Sequence, residues 1–390
     1  MNIAIVAGAF FPSPGGAQVQ THNLCNKLCD LGVNIDCYIF EKSNIHNNNY
    51  KIFVLNRIVL SIVFLFQYYL NINLSFILKI YLSKIIKIKK YDLWHFNFLN
   101  FKSLILIDCL KDLKQKIVVT FHGIDLQLDS SINYGYRLDK KYDNYLKKII
   151  NKSDHFFYIS KTIKEDLIKL KIPQNKMMHF PNSVKLNKFQ NEKLKINTNK
   201  HHSFITVARF SEKKKGYDLL PGIAEGLIKK KIKFKWTIIG RKTSQLMKNE
   251  IIKNNKEFFE IIENIDNFDE KFFPDSKLIK KYLEADLYIN LSRIEAFGVT
   301  FIEALASKIP IVTFNTKGVN EIVTDNYNGF VIPEISNSLM VNKIHELCSD
   351  FSKVLSIKEN TLKSVQIYDL NIISEKILRT YESISLNNID

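Results

Sequence analysis

The sequence predicts an α/β protein that contains two Rossmann-like domains in tandem. Three observations support this prediction. The chain has 390 residues, which is more than one hydrophobic core usually organises. Short apolar runs alternate with helical patterns along the chain, as is typical of parallel sheets covered by helices on both faces. This rhythm is interrupted once, by a polar segment from Lys185 to His202 that we interpret as an interdomain linker.

Ten apolar runs are interpreted as strands. The first domain, residues 1–185, contains NIAIVAGAF, VNIDCYIF, DLWHFNF, KIVVTF and HFFYIS, with a helix from Gln18 to Leu31 that Gly32 ends. The second domain, residues 200–365, contains SFITVARF, FKWTIIG, DLYINLS, IPIVTFN and GFVIP. Open parallel sheets bind ligands at the carboxyl ends of their strands, so we expect one ligand in a central cleft between two facing domains.

Composition excludes several classes of protein. Apolar residues make up 46% of the chain and aromatic residues 12%, enough for two cores. The five cysteines are scattered without CxxC spacing, which argues against a disulfide framework and a zinc site and favours a reducing cytoplasm. The first residues, MNIAIVAGAFFPSP, lack the basic region and cleavage site of a signal peptide.

The net charge of +17 has several possible causes. It fits a nucleic acid, an anionic membrane surface or an anionic substrate, but a genome biased towards Asn, Ile and Lys would also produce it. No zinc finger, helix-turn-helix or aromatic RNA-binding signature accompanies the basic residues. We therefore expect no nucleic-acid partner.

One apolar segment, Ile58 to Leu78, carries no charge over 21 residues and is long enough to span a bilayer. Its polar residues Gln67, Asn71 and Asn73 argue against a span. A helical stripe favours instead a helix with one buried face, in the core or lying on a surface; it consists of Ile58, Ile62, Leu65, Tyr69, Ile72 and Phe76. Five lysines follow, so attachment to an anionic membrane surface is a further hypothesis: Lys79, Lys84, Lys87, Lys89 and Lys90.

Two loops contain residues suited to an anion. Gly15 and Gly16 precede the first helix, where glycines let backbone amides approach an anion, although Pro-Gly-Gly is also an ordinary turn. In the second domain Arg209 ends a strand, and Lys215 follows six residues later, just before Gly216 and a helix. Two cations on such a loop suit a diphosphate. The alternative is a solvated basic loop, because Lys213 to Lys215 form a charge run.

A third stretch, RIEAFGVTFIEALASKIPIV, contains Glu295 and Glu303 with seven residues between them. A carboxylate among apolar residues costs free energy unless it is paired. We expect a helix to begin near Gly298 or Val299, so that the amides of Phe297, Gly298 and Val299 point at a ligand and each carboxylate binds sugar hydroxyls. A helix dipole alone would explain Glu295 but not Glu303.

Together these motifs resemble the family-4 retaining glycosyltransferases of the GT-B fold. The signature is a Glu-x7-Glu arrangement, matched by Glu295, Phe297, Gly298 and Glu303. The resemblance covers nearly the whole chain, and its other motifs occur in the same order: FPSPGGAQ, THNL, TFHG around His122, SKTIKEDL from Ser160, PNSV around Asn182, and the spacing of Arg209 and Lys215 before Gly216.

The resemblance implies roles for these residues. Gly15 and Gly16 approach the donor diphosphate or the reacting sugar, and Arg209 and Lys215 neutralise the departing diphosphate. Glu295 and His122 contact the transferred sugar, and Glu303 binds the nucleotide ribose together with the helix start. His95 lies either in strand-end packing or on the acceptor side. No DxD motif occurs, so we expect neither a metal nor a cofactor.

The implied function is transfer of a sugar from a UDP- or GDP-linked donor to a glycan or lipid-linked acceptor, with retention of configuration. The resemblance implies that the first domain binds the acceptor. It also implies that residues 366–390 form a final helix that crosses back to the first domain. It also implies surface polysaccharide synthesis in the cytoplasm, at the inner face of the membrane. Ser183 stands where many relatives carry glycine, and the loop RKTSQ lacks a second glycine, so the nucleotide base is not identified.

Two alternatives come from other functional classes. A nucleotide-sugar epimerase can share the two-domain fold, but it would lack the Glu-x7-Glu pattern. A basic module that binds membranes or nucleic acid would not need the ordered set of motifs.

Overall fold

The computed structural model describes residues 1–8, 10–11, 15–43, 45–190, 201–265 and 270–386. They form two compact units. One comprises Met1–Asn182, Phe268–Phe272 and Leu370–Asp390, and the other Ser183–Asn267 and Phe273–Asp369. Each unit contains one parallel sheet with helices, so the predicted pair of Rossmann-like domains is confirmed.

The predicted linker from Lys185 to His202 is only partly within the described residues. Its first part is a short helix, α7, Leu186–Gln190, and its last residue begins the first strand of the second sheet. Residues 191–200 lie outside the described part of the chain. The described ends of this segment therefore belong to regular elements of the second unit.

The first unit contains a seven-stranded parallel sheet in the order β3-β2-β1-β4-β5-β6-β7. The five predicted strands are present, and the sequence missed β3 and β7, which are short edge strands with few buried residues. The bounds are β1 Asn2–Ala7, β2 Asn34–Ile39, β3 Lys51–Val54, β4 Leu93–Asn97, β5 Ile117–Phe121, β6 His155–Tyr158 and β7 Met177–His179.

Seven helices accompany this sheet in the described residues. As predicted, the first ends before Gly32, whose φ of 86° is favourable only for glycine. The last helix of the chain packs against α1 within this unit. The bounds are α1 Gly16–Asp30, α2 Arg57–Tyr69, α3 Ser75–Lys89, α4 Phe101–Asp112, α5 Lys140–Ile150, α6 Lys161–Lys169 and α14 Leu370–Leu386.

The prediction of one helix with a buried stripe between Ile58 and Leu78 is wrong. The segment is broken between α2 and α3, and Asn71 has a φ of 57° there. All six residues of the predicted stripe are exposed, whereas Leu60 and Val63 of α2 and Leu78 and Leu82 of α3 are buried. Apolar residues lie on nearly every side of α2, so periodicity did not identify the buried face. None of the described helices is long and apolar enough to cross a bilayer.

The second unit contains a six-stranded parallel sheet in the order β10-β9-β8-β11-β12-β13. All five predicted strands are present, and the short strand β10 was missed. The strand bounds are β8 His202–Val207, β9 Phe234–Ile239, β10 Phe259–Ile262, β11 Leu287–Asn290, β12 Ile311–Phe314 and β13 Gly329–Ile332. Besides α7, the helices are α8 Leu220–Lys229, α9 Glu250–Asn254, α10 Ser276–Leu283, α11 Val299–Ala306, α12 Asn337–Ser349 and α13 Ser352–Val365.

The centre of this second sheet fixes the position of two loops. Strands β8 and β11 are neighbours, and the chain order reverses between them. Trp236 of β9 is fully buried and donates from its indole Nε1 to Thr206 Oγ1 of β8 at 3.0 Å, which holds this centre together. Because β8 and β11 are parallel neighbours, the loops that follow them leave the same edge of the sheet side by side. Doubly wound sheets bind ligands at this point.

Candidate functional site

The centre of the candidate site is an ion pair between these two loops. Lys215 Nζ lies 2.5 Å from Glu295 Oε1, and the two side chains are only 17% and 9% exposed. Burial opposes the charged form of Glu295, but Lys215 and Lys214 outweigh that effect and hold its pKa below the usual value. The carboxylate in the loop after β11 is therefore ionised and held by a cation from the loop after β8.

A second ion pair fastens the same two loops and was not identified from the sequence. Arg293 donates to both carboxylate oxygens of Asp218, at 2.7 and 2.9 Å. It also donates from its guanidinium to the carbonyl of Lys213 at 2.7 Å and from its amide to the carbonyl of Lys214 at 3.0 Å. Arg293 thus positions the lysine run beside Glu295.

Two glycines permit the close backbone approach that this arrangement needs. A Cβ at Gly216 would lie 2.0 Å from the carbonyl oxygen of Leu291, and one at Gly318 would lie 1.8 Å from that of Glu295. Both have positive φ, 67° and 90°. The glycine after Lys215 therefore brings the lysine loop against β11, and Gly318 holds the backbone of Glu295 from its other side.

The three lysines of the charge run, Lys213 to Lys215, have different environments in the structure. Lys213 is 61% exposed and pairs with Asp218, so the interpretation as a solvated basic loop fits this residue. It does not fit Lys215, which is bound to Glu295. Burial, assisted by the like charges of Lys215 and Arg209, lowers the pKa of Lys214 to about 7.

Arg209 follows β8 by two residues and is exposed. Gly240 approaches its backbone closely, since a Cβ there would lie 2.9 Å from the amide nitrogen of Arg209. Within the described residues Arg209 takes part in no ion pair. Its guanidinium is therefore accessible beside Lys214, as a diphosphate contact requires.

Helix α11 begins where the sequence predicted. Gly298 precedes it with a φ of 85°, and its carbonyl accepts a hydrogen bond from the amide of Phe301 at 2.9 Å. Amides at a helix start have no intrahelical acceptor, which leaves those around Val299 suited to an anion. The ring of Phe297 packs edge-on against Tyr368 at 5.4 Å, so only its backbone is suited to ligand contact.

Glu303 lies on the second turn of α11 and is 5% exposed. Tyr282 of α10 donates its hydroxyl to Glu303 Oε2 at 2.9 Å. The sequence raised the question of how a carboxylate tolerates neighbours such as Phe301 and Ile302, and this hydrogen bond is part of the answer.

In the first unit His122 follows β5 and is part of a directed chain of hydrogen bonds. His122 Nε2 lies 2.6 Å from Asn97 Oδ1, and Asn97 Nδ2 donates to Thr21 Oγ1 at 2.9 Å. Thr21 donates in turn to the carbonyl of Ala17 at 2.8 Å. The chain ends on the first turn of α1, directly after the Gly15–Gly16 loop.

This chain fixes the tautomer of His122. Since an amide oxygen only accepts, Nε2 carries the proton and Nδ1 remains an acceptor. Burial lowers the pKa of His122 to about 4, so the ring is neutral near pH 7. His95, by contrast, is buried between Thr120 Oγ1 and Tyr381 Oη, which matches the strand-end packing alternative.

The glycine loop is described only in part, since Pro12 to Pro14 lie outside the described residues. Gly15 precedes α1 with an extended φ of −151°, which any residue can adopt. A Cβ there would meet only the flexible end of Gln18. The predicted contacts of Gly15 and Gly16 with a donor stay predictions.

The part of the chain that the structure describes contains no group of three or more His, Cys, Asp or Glu side chains that could hold a metal ion. The five cysteines are free thiols.

Comparison with known proteins matches nearly the whole chain. Residues 14–188 match the family described as Glycosyltransferase Family 4, and residues 187–364 match Glycosyl transferases group 1. An uncharacterized glycosyltransferase of Methanocaldococcus jannaschii is 24% identical, covering 98% of this chain and 98% of its own length.

A solved structure and a second relative, whose activity its name gives, are also similar to this chain. The Anabaena protein HepE, solved in complex with UDP, has a TM-score of 0.71 at 16% identity, covering 98% of this chain and 100% of its own. The N,N'-diacetylbacillosaminyl-diphospho-undecaprenol alpha-1,3-N-acetylgalactosaminyltransferase of Campylobacter jejuni is 26% identical over 112 residues, which cover 29% of this chain and 30% of that protein.

The loop geometry gives a stability prediction for Gly318→Ala. We expect a loss of about 3 kcal/mol or more in the free energy of unfolding, because the added Cβ combines positive-φ strain with overlap on the Glu295 carbonyl. Gly32→Ala is the matched control: its φ of 86° is similar, but no atom lies within 4 Å of the added Cβ. We expect it to cost only about 1 kcal/mol. Equal losses in urea unfolding would contradict the proposed close approach.

Proposed function

Because the chain belongs to the family-4 glycosyltransferases and has the GT-B fold, we propose that it moves a hexose from a nucleotide-sugar donor to a glycan or lipid-linked acceptor with retention of configuration. The observation that carries this proposal is the buried pair of Lys215 and Glu295 with two further cations beside it. HepE supports a UDP-linked donor, and a GDP-linked donor is the other candidate.

The cations account for the chemistry at the phosphate. Lys214 and Lys215 lie beside one ionised carboxylate and Arg209 lies near Lys214, so this corner of the second unit has excess positive charge. A departing nucleoside diphosphate gains negative charge as the glycosidic bond breaks, and fixed cations stabilise that charge most effectively away from water. We propose that these groups replace the divalent metal that other transferases use.

The two glutamates have different proposed roles. Glu295 is ionised beside the cations, and its carboxylate is suited to the positive charge that develops on the transferred sugar. Glu303 lies on the second turn of α11 and is proposed to accept hydrogen bonds from the ribose hydroxyls, while Tyr282 orients it. His122, neutral and with Nδ1 as acceptor, is proposed to bind a sugar hydroxyl.

The acceptor and location follow as further proposals. A lipid-linked acceptor is supported by the relative in Campylobacter jejuni, whose substrate is an undecaprenyl diphosphate sugar. We propose that the reaction belongs to surface polysaccharide synthesis and takes place in the cytoplasm, at the inner face of the membrane. The free thiols are consistent with a reducing compartment.

A donor panel tests the proposed activity. Purified protein is mixed with UDP- and GDP-linked sugars and membrane extract in EDTA, and released nucleoside diphosphate is measured. We expect release with one donor and no loss of rate in the chelator. Conversion of the donor to an epimeric sugar without diphosphate release would favour an epimerase, and no turnover of any donor would contradict the proposal.

Kinetics of Glu295→Gln and Glu303→Gln test the division of roles. We expect Glu295→Gln to lower kcat about a hundredfold, because the Glu295 carboxylate stabilises charge that appears only in the transition state. Glu303→Gln should raise the donor KM roughly tenfold with little change in kcat, since ribose contacts are alike before and during reaction.

Tyr282→Phe is the control for Glu303, because it removes only the hydroxyl that orients the carboxylate. Tyr282→Phe should also raise the donor KM, by a smaller factor than Glu303→Gln does. Identical kinetic profiles for the two glutamine variants would contradict the assignment.

Lys214 predicts a pH dependence of diphosphate binding. Its pKa is about 7 in the free protein, and a bound diphosphate should raise that pKa. Below pH 7 the group is charged before and after binding, whereas above pH 7 it must take up a proton. Affinity for UDP or GDP should therefore fall as pH rises above 7, by up to about tenfold per unit.

Calorimetry in buffers with different ionisation enthalpies measures this proton uptake directly. The terminal phosphate of the nucleotide titrates near pH 6 and contributes little above pH 7. Lys214→Met should bind more weakly below pH 7 and lose the proton uptake above it. The same uptake in Lys214→Met and wild type would exclude Lys214 as its source.

A further inference from the structure

The outward side of α2 and α3 exposes an unusual concentration of apolar residues. Ten of the 22 exposed large hydrophobic residues of the described chain lie between Ile58 and Ile88. On α2 they include Ile58, Ile62, Leu65 and Tyr69, and on α3 Phe76 and Ile80, with exposures between 40% and 72%. Large exposed apolar patches indicate an interaction surface.

Helices α2 and α3 pack in the first unit mainly through the other side of each helix. Both helices contact α4 and each other within the first unit. Phe64 and Tyr68 of α2 pack on the ring of Phe101 in α4. The buried residues are on the same side of each helix, Leu60 and Val63 on α2 and Leu78 and Leu82 on α3. The exposed residues lie on the opposite side, which we name the α2–α3 face.

Charge accompanies the apolar residues. Residues 42–91 contain eight lysines and arginines and no aspartate or glutamate. Lys79 pairs with Asp112 and Lys89 with Asp36; the other six are exposed and form no ion pair within the described chain. On α3 the exposed positions change from Phe76 and Ile80 to Lys84 and Lys87, so apolar and basic groups share one side of the helix.

We propose that the α2–α3 face binds the anionic surface of a lipid bilayer, with its apolar side chains among the acyl chains and its lysines at the phosphates. Apolar residues flanked by lysines, on helices too short and polar to cross the bilayer, are typical of interfacial attachment. Only the benefit of membrane binding rests on the proposed function: attachment would hold the enzyme beside a lipid-linked acceptor.

The charges favour a membrane over a protein occupant. A second copy bound symmetrically through this face would bring its own unpaired Lys84 and Lys87 to the same interface, and like charges at an interface are unfavourable. Lysine is also depleted at protein interfaces relative to the rest of the surface. An anionic leaflet instead attracts every one of these cations.

Vesicle binding tests the electrostatic part. The protein is sedimented with vesicles of phosphatidylcholine alone or mixed with phosphatidylglycerol, without any sugar donor. We expect binding only to the anionic vesicles and release by salt. Reversal of Lys84, Lys87 and Lys90 to Glu should weaken binding roughly a hundredfold or more, on the order of fivefold for each cation removed.

A matched control separates this face from the net charge. Lys248, Lys253 and Lys256 are exposed on the second unit and form no ion pair in the described chain. Their reversal to Glu changes the net charge by the same amount and should leave vesicle binding within about threefold of wild type. Equal losses in both triple variants would overturn the assignment to the α2–α3 face.

Fluorescence tests the apolar part. The native Trp94 and Trp236 are buried, so a tryptophan placed at Phe76 should give the signal that changes on binding. With Phe76→Trp we expect a blue shift and quenching by brominated lipid tails, whereas the control Tyr327→Trp, on the second unit, should show neither. No quenching of either variant would overturn insertion of this face.

The remaining outcomes distinguish other occupants and the proposed function. Self-association that disappears in Ile62→Gln would identify the face as an interface between copies and overturn the membrane inference. Diphosphate release by a protein that binds no vesicles would overturn this inference and leave the proposed function intact. Vesicle binding without activity towards any donor would support this inference and contradict the proposed function.

Discussion

The buried ion pair between Lys215 and Glu295 is the interaction on which the candidate site depends. A buried carboxylate without a partner would become protonated or destabilise the fold, and a buried lysine without one would lose its charge. Lys215 therefore keeps Glu295 ionised. Such pairs contribute little net stability compared with an apolar pair, so their presence is better explained by chemistry that needs both charges in one place.

Several other residues serve this contact. Gly216 and Gly318 remove the side chains that would separate the loops, and Arg293 with Asp218 joins the loops a second time. None of these four residues has to touch a ligand. They determine the distance between the cation and the carboxylate, and a site whose charges are already in position loses less free energy to reorganisation during reaction.

Much of this arrangement could be predicted from the sequence, because strands and helix starts are local. The position of Glu295 in a loop and Glu303 on a second turn followed from the start of α11 at Val299. The partners could not be predicted, since Lys215 and Glu295 are 80 residues apart and meet only because β8 lies beside β11. Asp218 and Arg293 were missed for the same reason. The exposed side of α2 was mistaken for the buried one, because its apolar residues do not single out one face.

Lys214 shows what the arrangement costs the free protein. Lys214 and Lys215 share one carboxylate with Arg209 close to Lys214, and burial with these like charges lowers the pKa of Lys214 to about 7. Repulsion among these groups is unfavourable while no anion is bound, and an anion of two or more charges relieves it. The same repulsion favours a diphosphate over a neutral sugar or a single carboxylate, because only the more highly charged ligand can neutralise all three groups. We therefore expect the charge excess that destabilises the free site to favour the nucleoside diphosphate that we propose as its donor and leaving group.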